Sequence, residues 1–294
     1  MIQDMISEVS SVVEGRRDNG PAHMLDVPRL AVVHDPAPTQ LEAHLYRPIL
    51  CVVLQGKKEL WIGERKVVMQ PVQALVVSHD VPVSTRIFQA TPDKPYVALV
   101  IELDLAMARS LVGEISDAMP SSSVARSVTA GRADHGLLDA MRRLLALHAT
   151  PADAVVMEPL VRREIHYRLL MADQGGMLRE LLRLDSQAGR IAKAIRHIQA
   201  DHTAALSVAD LASLAGMSPS TFHEHFKAVT GTTPLQYQKD MRLLEAKRLL
   251  QEGGRSVSSI AFDVGYESPT QFSREYSRKF GASPRQHLRT LVDA

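Results

Sequence analysis

The 294-residue chain carries 34 Lys+Arg, 33 Asp+Glu, one cysteine, 45% apolar and 23% charged residues. That balance fits a globular chain long enough for two domains. Cys51 alone forms no intramolecular disulfide, no run of about 18 apolar residues reads as a membrane span, and Met1–Asp4 lacks a secretory signal's basic-then-apolar order. A cytoplasmic protein without a membrane partner is expected.

The net charge averages two unlike parts. Residues 1–186 hold 20 basic against 23 acidic side chains, and residues 187–294 hold 14 against 10. The C-terminal part is therefore the one whose sign suits a polyanion.

Residues 1–28 read as an N-terminal arm. From there to Leu103, short runs rich in Val, Ile and Leu (Leu30–His34, Ile49–Leu54, Glu59–Ile62, Lys66–Met69, Ala74–Ser78, Val97–Leu103) alternate with turn pairs such as Gln55-Gly56 and Gln70-Pro71. This spacing predicts an antiparallel sandwich or barrel, whose mouth can hold a small ligand. Helical periodicity follows. Asp104 caps a short helix to about Gly113, Asp134 opens a longer one, and Asp153 opens a third that carries Val156, Leu160, Ile165 and Leu169 and ends at Gly175-Gly176. These helices pack on the sheet or on a second copy of the chain. The predicted division is a sensor and dimerisation domain over 29–174, a linker over 175–187 and an all-helical domain over 188–294.

The last hundred residues repeat. Ser207, Leu211, Ala212, Ala215 and Gly216 recur 49 positions later as Ser256, Ile260, Ala261, Val264 and Gly265. Beyond the inserted Glu267, Ser218, Pro219, Phe222, Phe226, Gly231 and Pro234 recur 50 positions later as Ser268, Pro269, Phe272, Tyr276, Gly281 and Pro284. Each copy spells a helix-turn-helix: a serine cap, a small residue where helices cross, a glycine able to take positive φ, then Ser-Pro to restart the chain. Thr233-Pro234 opens a connecting helix to about Gln251. Its expected buried stripe is Leu235, Met241, Leu244, Leu249 and Leu250, with Arg242, Lys247 and Arg248 in solvent. Such a strut can hold two recognition helices about 34 Å apart, one turn of B-DNA.

The runs MSPSTFHEHFK (217–227), MRLLEAKRLL (241–250), IAFDVGYES (260–268), QFSREY (271–276) and FGASP (280–284) resemble the AraC/XylS family of transcription regulators. Residues 41–103 resemble, more loosely, the cupin-type N-terminal domain of one AraC-type subgroup. The resemblance implies an α+β protein: a cupin-like antiparallel β barrel or sandwich with packing helices, then two helix-turn-helix units that bind double-stranded DNA. It also implies a homodimer controlled by a small-molecule effector. By family register, Ser220, His223 and Glu224 of the first recognition helix and Pro269, Thr270, Ser273 and Arg274 of the second face base edges. Arg274 suits guanine, whereas Glu224 departs from the basic residue often found there. Lys227, Arg278 and Lys279 would hold phosphates.

The remaining chemistry is sparse. His223 and His225 stand two apart on a helix and so point to different sides. His23, His34, His44 and His79 lack the His-x-His spacing of metal-dependent cupin enzymes, so neither metal nor cofactor is expected. Neither a phosphate loop nor a nucleophile elbow is present. Cys51 is an inert core thiol or a reactive sensor, Trp61 fills the core or lines a pocket, and His79 belongs to a turn or a ligand site. These three are the effector-site candidates. A purely oligomerising N-terminal domain, or a cupin-like enzyme fused to a DNA-binding tail, are the competing readings.

Overall fold

The computed structural model describes residues 1–14, 22–115, 118–120, 126–183 and 186–292, without the side chains of 289–292. Its N-terminal strands form two antiparallel sheets. The six-stranded sheet runs, in spatial order, β1 (Ala22–Met24), β2 (Leu30–Asp35), β9 (Tyr96–Glu102), β4 (Ile49–Gln55), β7 (Gln73–Val77) and β10 (Val128–Arg132). The four-stranded sheet runs β3 (Glu42–Tyr46), β8 (Val81–Gln89), β5 (Lys57–Ile62) and β6 (Arg65–Met69).

Alternation along β4 sets the layers. Cys51 and Val53 point between the sheets, among Leu60, Ile62, Val81, Val83 and Tyr96. Leu50, Val52 and Leu54 point to the opposite face. That face is covered by α1 (Ile2–Glu14), α2 (Leu105–Ile115), α3 (His135–Ala146), α4 (Pro151–Met171) and α5 (Gly176–Leu182). A strand buried on both faces needs no polar alternation, which is why β4 reads as an unbroken apolar run.

The six expected strands fall within two residues of observed ones. Four others were not anticipated: β1, β3, β8 and β10. Pro82 hid β8, because proline cannot donate to a ladder. Here it sits opposite Leu45 of β3, and pairing with β5 begins only at Ser84, so its missing N–H faces an unpaired edge.

The supposed N-terminal arm begins with a helix, α1, whose Met5, Ile6 and Val9 are buried in the helix-sheet core. α4 starts at Pro151, with Asp153 in its first turn, and ends at Met171, before the glycine pair. Val156 and Leu160 of its apolar pattern do not pack on the sheet but are 65% and 57% exposed. Gly176 opens α5 inside the expected 175–187 linker. Leu178 and Leu182 join the N-terminal core while Met177 joins the next one.

Seven helices follow: α6 (Gln187–Ala200), α7 (Val208–Leu214), α8 (Pro219–Thr230), α9 (Pro234–Glu252), α10 (Val257–Asp263), α11 (Pro269–Phe280) and α12 (Pro284–Val292). The repeat is structural. Ser207, Ser218, Ser256 and Ser268 each accept the backbone N–H three residues on, at 3.0–3.3 Å. Gly216 and Gly265 take φ of +63° and +88°. Phe222 and Phe226 stack in one core at 5.5 Å between centroids, and Phe272 and Tyr276 do so in the other, also at 5.5 Å.

The α9 stripe is rotated from expectation. Tyr237, Leu243, Ala246, Leu249 and Leu250 are buried, while Leu235 is 54% exposed and Met241 and Leu244 are half-buried. Gly265→Ala should destabilise the fold by about 2–4 kcal/mol, combining left-handed strain with a Cβ placed 2.6 Å from the Thr203 carbonyl oxygen. Gly254→Ala, at φ +76° with no atom within 4 Å, should cost only about 1 kcal/mol. Urea midpoints of the two variants would check the difference.

Candidate nucleic-acid interface

In both repeats the Ser-Pro start fixes where the second helix begins, and its two buried aromatics fix which face looks outward. On α8 that outward face presents Ser220, Thr221, His223, Glu224 and Lys227, all exposed, while His225 is half-buried. On α11 Thr270, Gln271, Arg274 and Arg278 are exposed, and Pro269 and Ser273 are half-buried. Each helix therefore places its expected base-edge residues on one accessible side, whereas Lys279 lies on the inner side of α11 toward α9.

Several contact residues carry internal bonds: Ser220 Oγ lies 3.2 Å from Ser218 Oγ, Thr221 Oγ1 accepts from Ser218 Oγ at 2.9 Å, and Gln271 Nε2 donates to Glu275 at 3.3 Å. Ser273 Oγ donates to the Pro269 carbonyl at 2.8 Å, and Lys279 Nζ pairs with Asp240 at 2.8 Å. Glu275, buried on the inner side, accepts from Tyr266 Oη at 2.9 Å and Lys239 Nζ at 3.1 Å, which seats α11 on α9. These cationic and phenolic donors hold the Glu275 carboxyl below the usual range against the opposing pull of burial.

Arg242, expected in solvent, is the joint between the repeats. Its guanidinium donates to the carbonyls of His202 at 2.6 Å, Thr203 at 2.8 Å, Ala204 at 2.9 Å and Gly265 at 2.9 Å. Lys247 also leaves solvent, lying 5.5 Å over the Phe280 ring and 3.8 Å from Glu42 of β3. The polar slots of an amphipathic helix gave no sign of either role, because the partners are backbone atoms or another domain.

The three N-terminal candidates lie apart. Trp61 is on the outer face of the four-stranded sheet, between Lys66 at 5.1 Å and Arg86 at 5.7 Å, both of which also pair with Glu59. Cys51 is buried between the sheets. There it neighbours Lys58, which the sequence reading missed although strand parity puts it on the side of Leu60 and Ile62. Lys58 Nζ meets Tyr46 Oη at 3.3 Å and lies over the Tyr46 and Tyr96 rings at 5.5 and 5.9 Å. The buried Tyr96 hydroxyl makes no hydrogen bond of good geometry. Burial opposes the Lys58 charge, but the Cys51 thiol and the two phenols outweigh it and hold the group above the ordinary lysine range.

His79 stands at the seam between the halves. Its Nδ1 is 3.2 Å from Ser78 Oγ and its Nε2 is 3.0 Å from Ser127 Oγ. Ser127 donates both its backbone N–H, at 3.1 Å, and its hydroxyl to the Val229 carbonyl of α8. Ser78 Oγ likewise donates to the Ser127 carbonyl at 3.3 Å, so the imidazole sits between two serine hydroxyls that are themselves tied to backbone carbonyls. Among the described residues, no group of three or more His, Cys, Asp or Glu is placed to hold a metal ion, and no helix is long and apolar enough to cross a membrane.

A double-sheet N-terminal half joined to two linked helix-turn-helix units defines a class of two-part regulators. Comparison with known proteins is specific on this point. Residues 26–177 match the family model of the AraC-type transcriptional regulator N-terminus, and residues 211–290 match a helix-turn-helix domain. The chain belongs to the AraC-type transcriptional regulators.

It is 38% identical over 94 residues to a putative AraC-like transcription regulator of Streptomyces lividans, covering 32% of this chain and 31% of that protein. It is 31% identical over 158 residues to the HTH-type transcriptional activator RhaS of Escherichia coli, covering 52% and 55%. The chain thus spans between about a third and about half of the curated relatives it matches. A structure of ToxT from Vibrio cholerae, solved with an unsaturated fatty acid bound, shares the fold with a TM-score of 0.56 at 11% identity, over 95% of this chain and 99% of that one.

Burial pushes the His79 imidazole down to about 4. The unfolded chain takes up that proton near pH 6.5 while the native chain does not. Stability is therefore full above pH 6.5 and falls between 6.5 and 4, by at most about 3 kcal/mol. His79→Gln should flatten this part of the profile, as urea unfolding at pH 7.5 and pH 4.5 would show.

Proposed function

We propose that the chain is a sequence-specific DNA-binding transcription regulator, not an enzyme, whose α8 and α11 enter successive major-groove segments of double-stranded DNA. The observation that carries this reading is the repeated serine-capped, proline-started helix, twice presented with its outward face uncovered. Ser220, His223 and Glu224, with Pro269, Thr270, Ser273 and Arg274, are the proposed base-edge residues. Lys227, Arg278 and Lys279 are the proposed phosphate contacts. Arg274 is the strongest of these, its side chain being exposed, cationic and, among the described residues, without an internal partner, as bidentate guanine recognition requires.

Residues 29–174 are proposed as the regulatory domain and 188–294 as the DNA-binding domain. A small-molecule effector for the first is supported by the Lys58–Tyr46–Tyr96 group beside Cys51 and by the ligand bound in the similarly folded ToxT. Dimerisation is supported by α4. Val156, Leu160 and Tyr167 are 65%, 57% and 41% exposed on one helical stripe, with Val155 at 79% beside them. Such a stripe suits a second copy of itself.

Arg274→Ala should weaken binding to the cognate site by about 1–3 kcal/mol while leaving random-DNA binding nearly unchanged. Electrophoretic shifts on sequences selected from a random pool would measure both, and equal losses on the two would remove Arg274 from base readout. Leu160→Glu should raise the dimer dissociation constant at least about tenfold without unfolding the chain, read by sedimentation velocity.

A further inference from the structure

Between the turn joining β5 and β6, the start of β10 and the last turn of α8 lies a cleft of about 400 Å³. Its charged lining is Arg65, Arg126 and Lys227 against the single carboxylate of Glu64, an excess of two positive charges. Arg65 is held in place by donating one Nη2–H to the Val128 carbonyl at 2.7 Å. Burial, and then the nearby Arg126 charge, lower its proton affinity, so two guanidinium groups crowd one space. Among the described residues, neither the Arg126 nor the Lys227 side chain has a hydrogen-bonding or ionic partner.

Like charges converging on a concavity from two domains are unfavourable unless an anion joins them. The carbonyl end of α8 would ordinarily repel that anion. Here Ser127 caps the Val229 carbonyl and the Gly231 N–H caps that of Lys227 at 2.8 Å, which blunts the repulsion. Next to the lining residues Ile62 and Glu64, Gly63 approaches α8 so nearly that a Cβ there would sit 2.2 Å from the Gly231 carbonyl oxygen. Lys227 is eight residues from Pro219, or about 12 Å along the helix axis. A cleft of this size between two domains at the far end of α8 suits a small ion better than a continuous strand of phosphates.

We propose that this cleft binds a small phosphate-bearing dianion, clamped by Arg65 and Arg126 from one domain and Lys227 from the other, and that filling it lowers DNA affinity by withdrawing Lys227 from the DNA backbone. The coupling rests on the reading of α8 given above, whereas the anion site does not.

The test uses the full chain and inorganic phosphate at pH 8, at constant ionic strength, with acetate as the monoanion comparator. Calorimetry should show saturable phosphate binding that acetate does not reproduce. The double variant Arg65→Gln, Arg126→Gln should weaken it at least about tenfold. Without phosphate, the variant should bind selected DNA with wild-type affinity and salt slope. Phosphate should weaken DNA binding by the wild-type chain and not by the variant, and DNA should weaken phosphate binding by the same factor.

The anion site is overturned by non-saturable binding, by equal acetate binding, or by phosphate affinity that survives both substitutions. It is also overturned if the phosphate-free variant loses DNA affinity and salt slope, since the arginines would then belong to the DNA interface. Arginine-dependent phosphate binding by a chain that selects no DNA sequence would support the site while overturning the DNA reading and its coupling.

Discussion

Four backbone carbonyls converge on the Arg242 guanidinium, and the geometry of the C-terminal half depends on that convergence. The two helix-turn-helix units have separate cores, one around Phe222 and Phe226 and one around Phe272 and Tyr276. Apolar contact alone leaves their mutual orientation to α9. This helix has 19 residues, a rise of about 28 Å, and sets a distance but not a rotation. Arg242 supplies the rotation by tying the loop before α7 to the turn after α10 through the fixed fork of its N–H groups. Gly265 is the matching constraint, because the same turn leaves no room for a Cβ.

The opposite side of α9 faces the sheets. Tyr237 Oη donates to the Asp80 carbonyl at 2.8 Å and accepts from Gln199 at 3.1 Å, and Lys247 reaches Glu42. One helix thus serves as the spine of the two helix-turn-helix units and as a wall of the N-terminal domain. A shift of β3 or of the β7–β8 junction must act on the element that spaces α8 and α11. This contiguity is the physical requirement for coupling between the two halves.

What the sequence made legible were features enforced locally. The apolar run of β4, the Asp134 cap of α3 and the paired Ser, Gly and Ser-Pro positions all constrain their own neighbourhood, so their meaning is written beside them. Pro82 of β8, Lys58 and Arg242 derive their meaning from partners far away in the chain. Pro82 is tolerated because β5 begins pairing two residues later. Arg242 occupies a polar slot whose acceptors lie about 40 residues before it and 23 after it. The sequence displays no backbone carbonyls, so such a residue looks solvated. Lys58 differs, because strand parity had already placed it inward, and only the habit of assigning lysine to the surface concealed it.

The two helices proposed to read DNA are unequal, and the inequality fits the placement of the domain seam. α11 offers Arg274 and Arg278 to solvent and touches the N-terminal domain mainly near β3. α8 offers Glu224 where a cation would favour phosphates, and its last turn is bonded to Ser127. Coupling energies between sites are about 1–3 kcal/mol, too small to detach a strong anchor and large enough to decide the occupancy of a weak one. With both helices on DNA as proposed, a regulatory contact on α8 would select among DNA sites while α11 held the protein on the duplex. The same contact on α11 would have to overcome its strongest electrostatic hold.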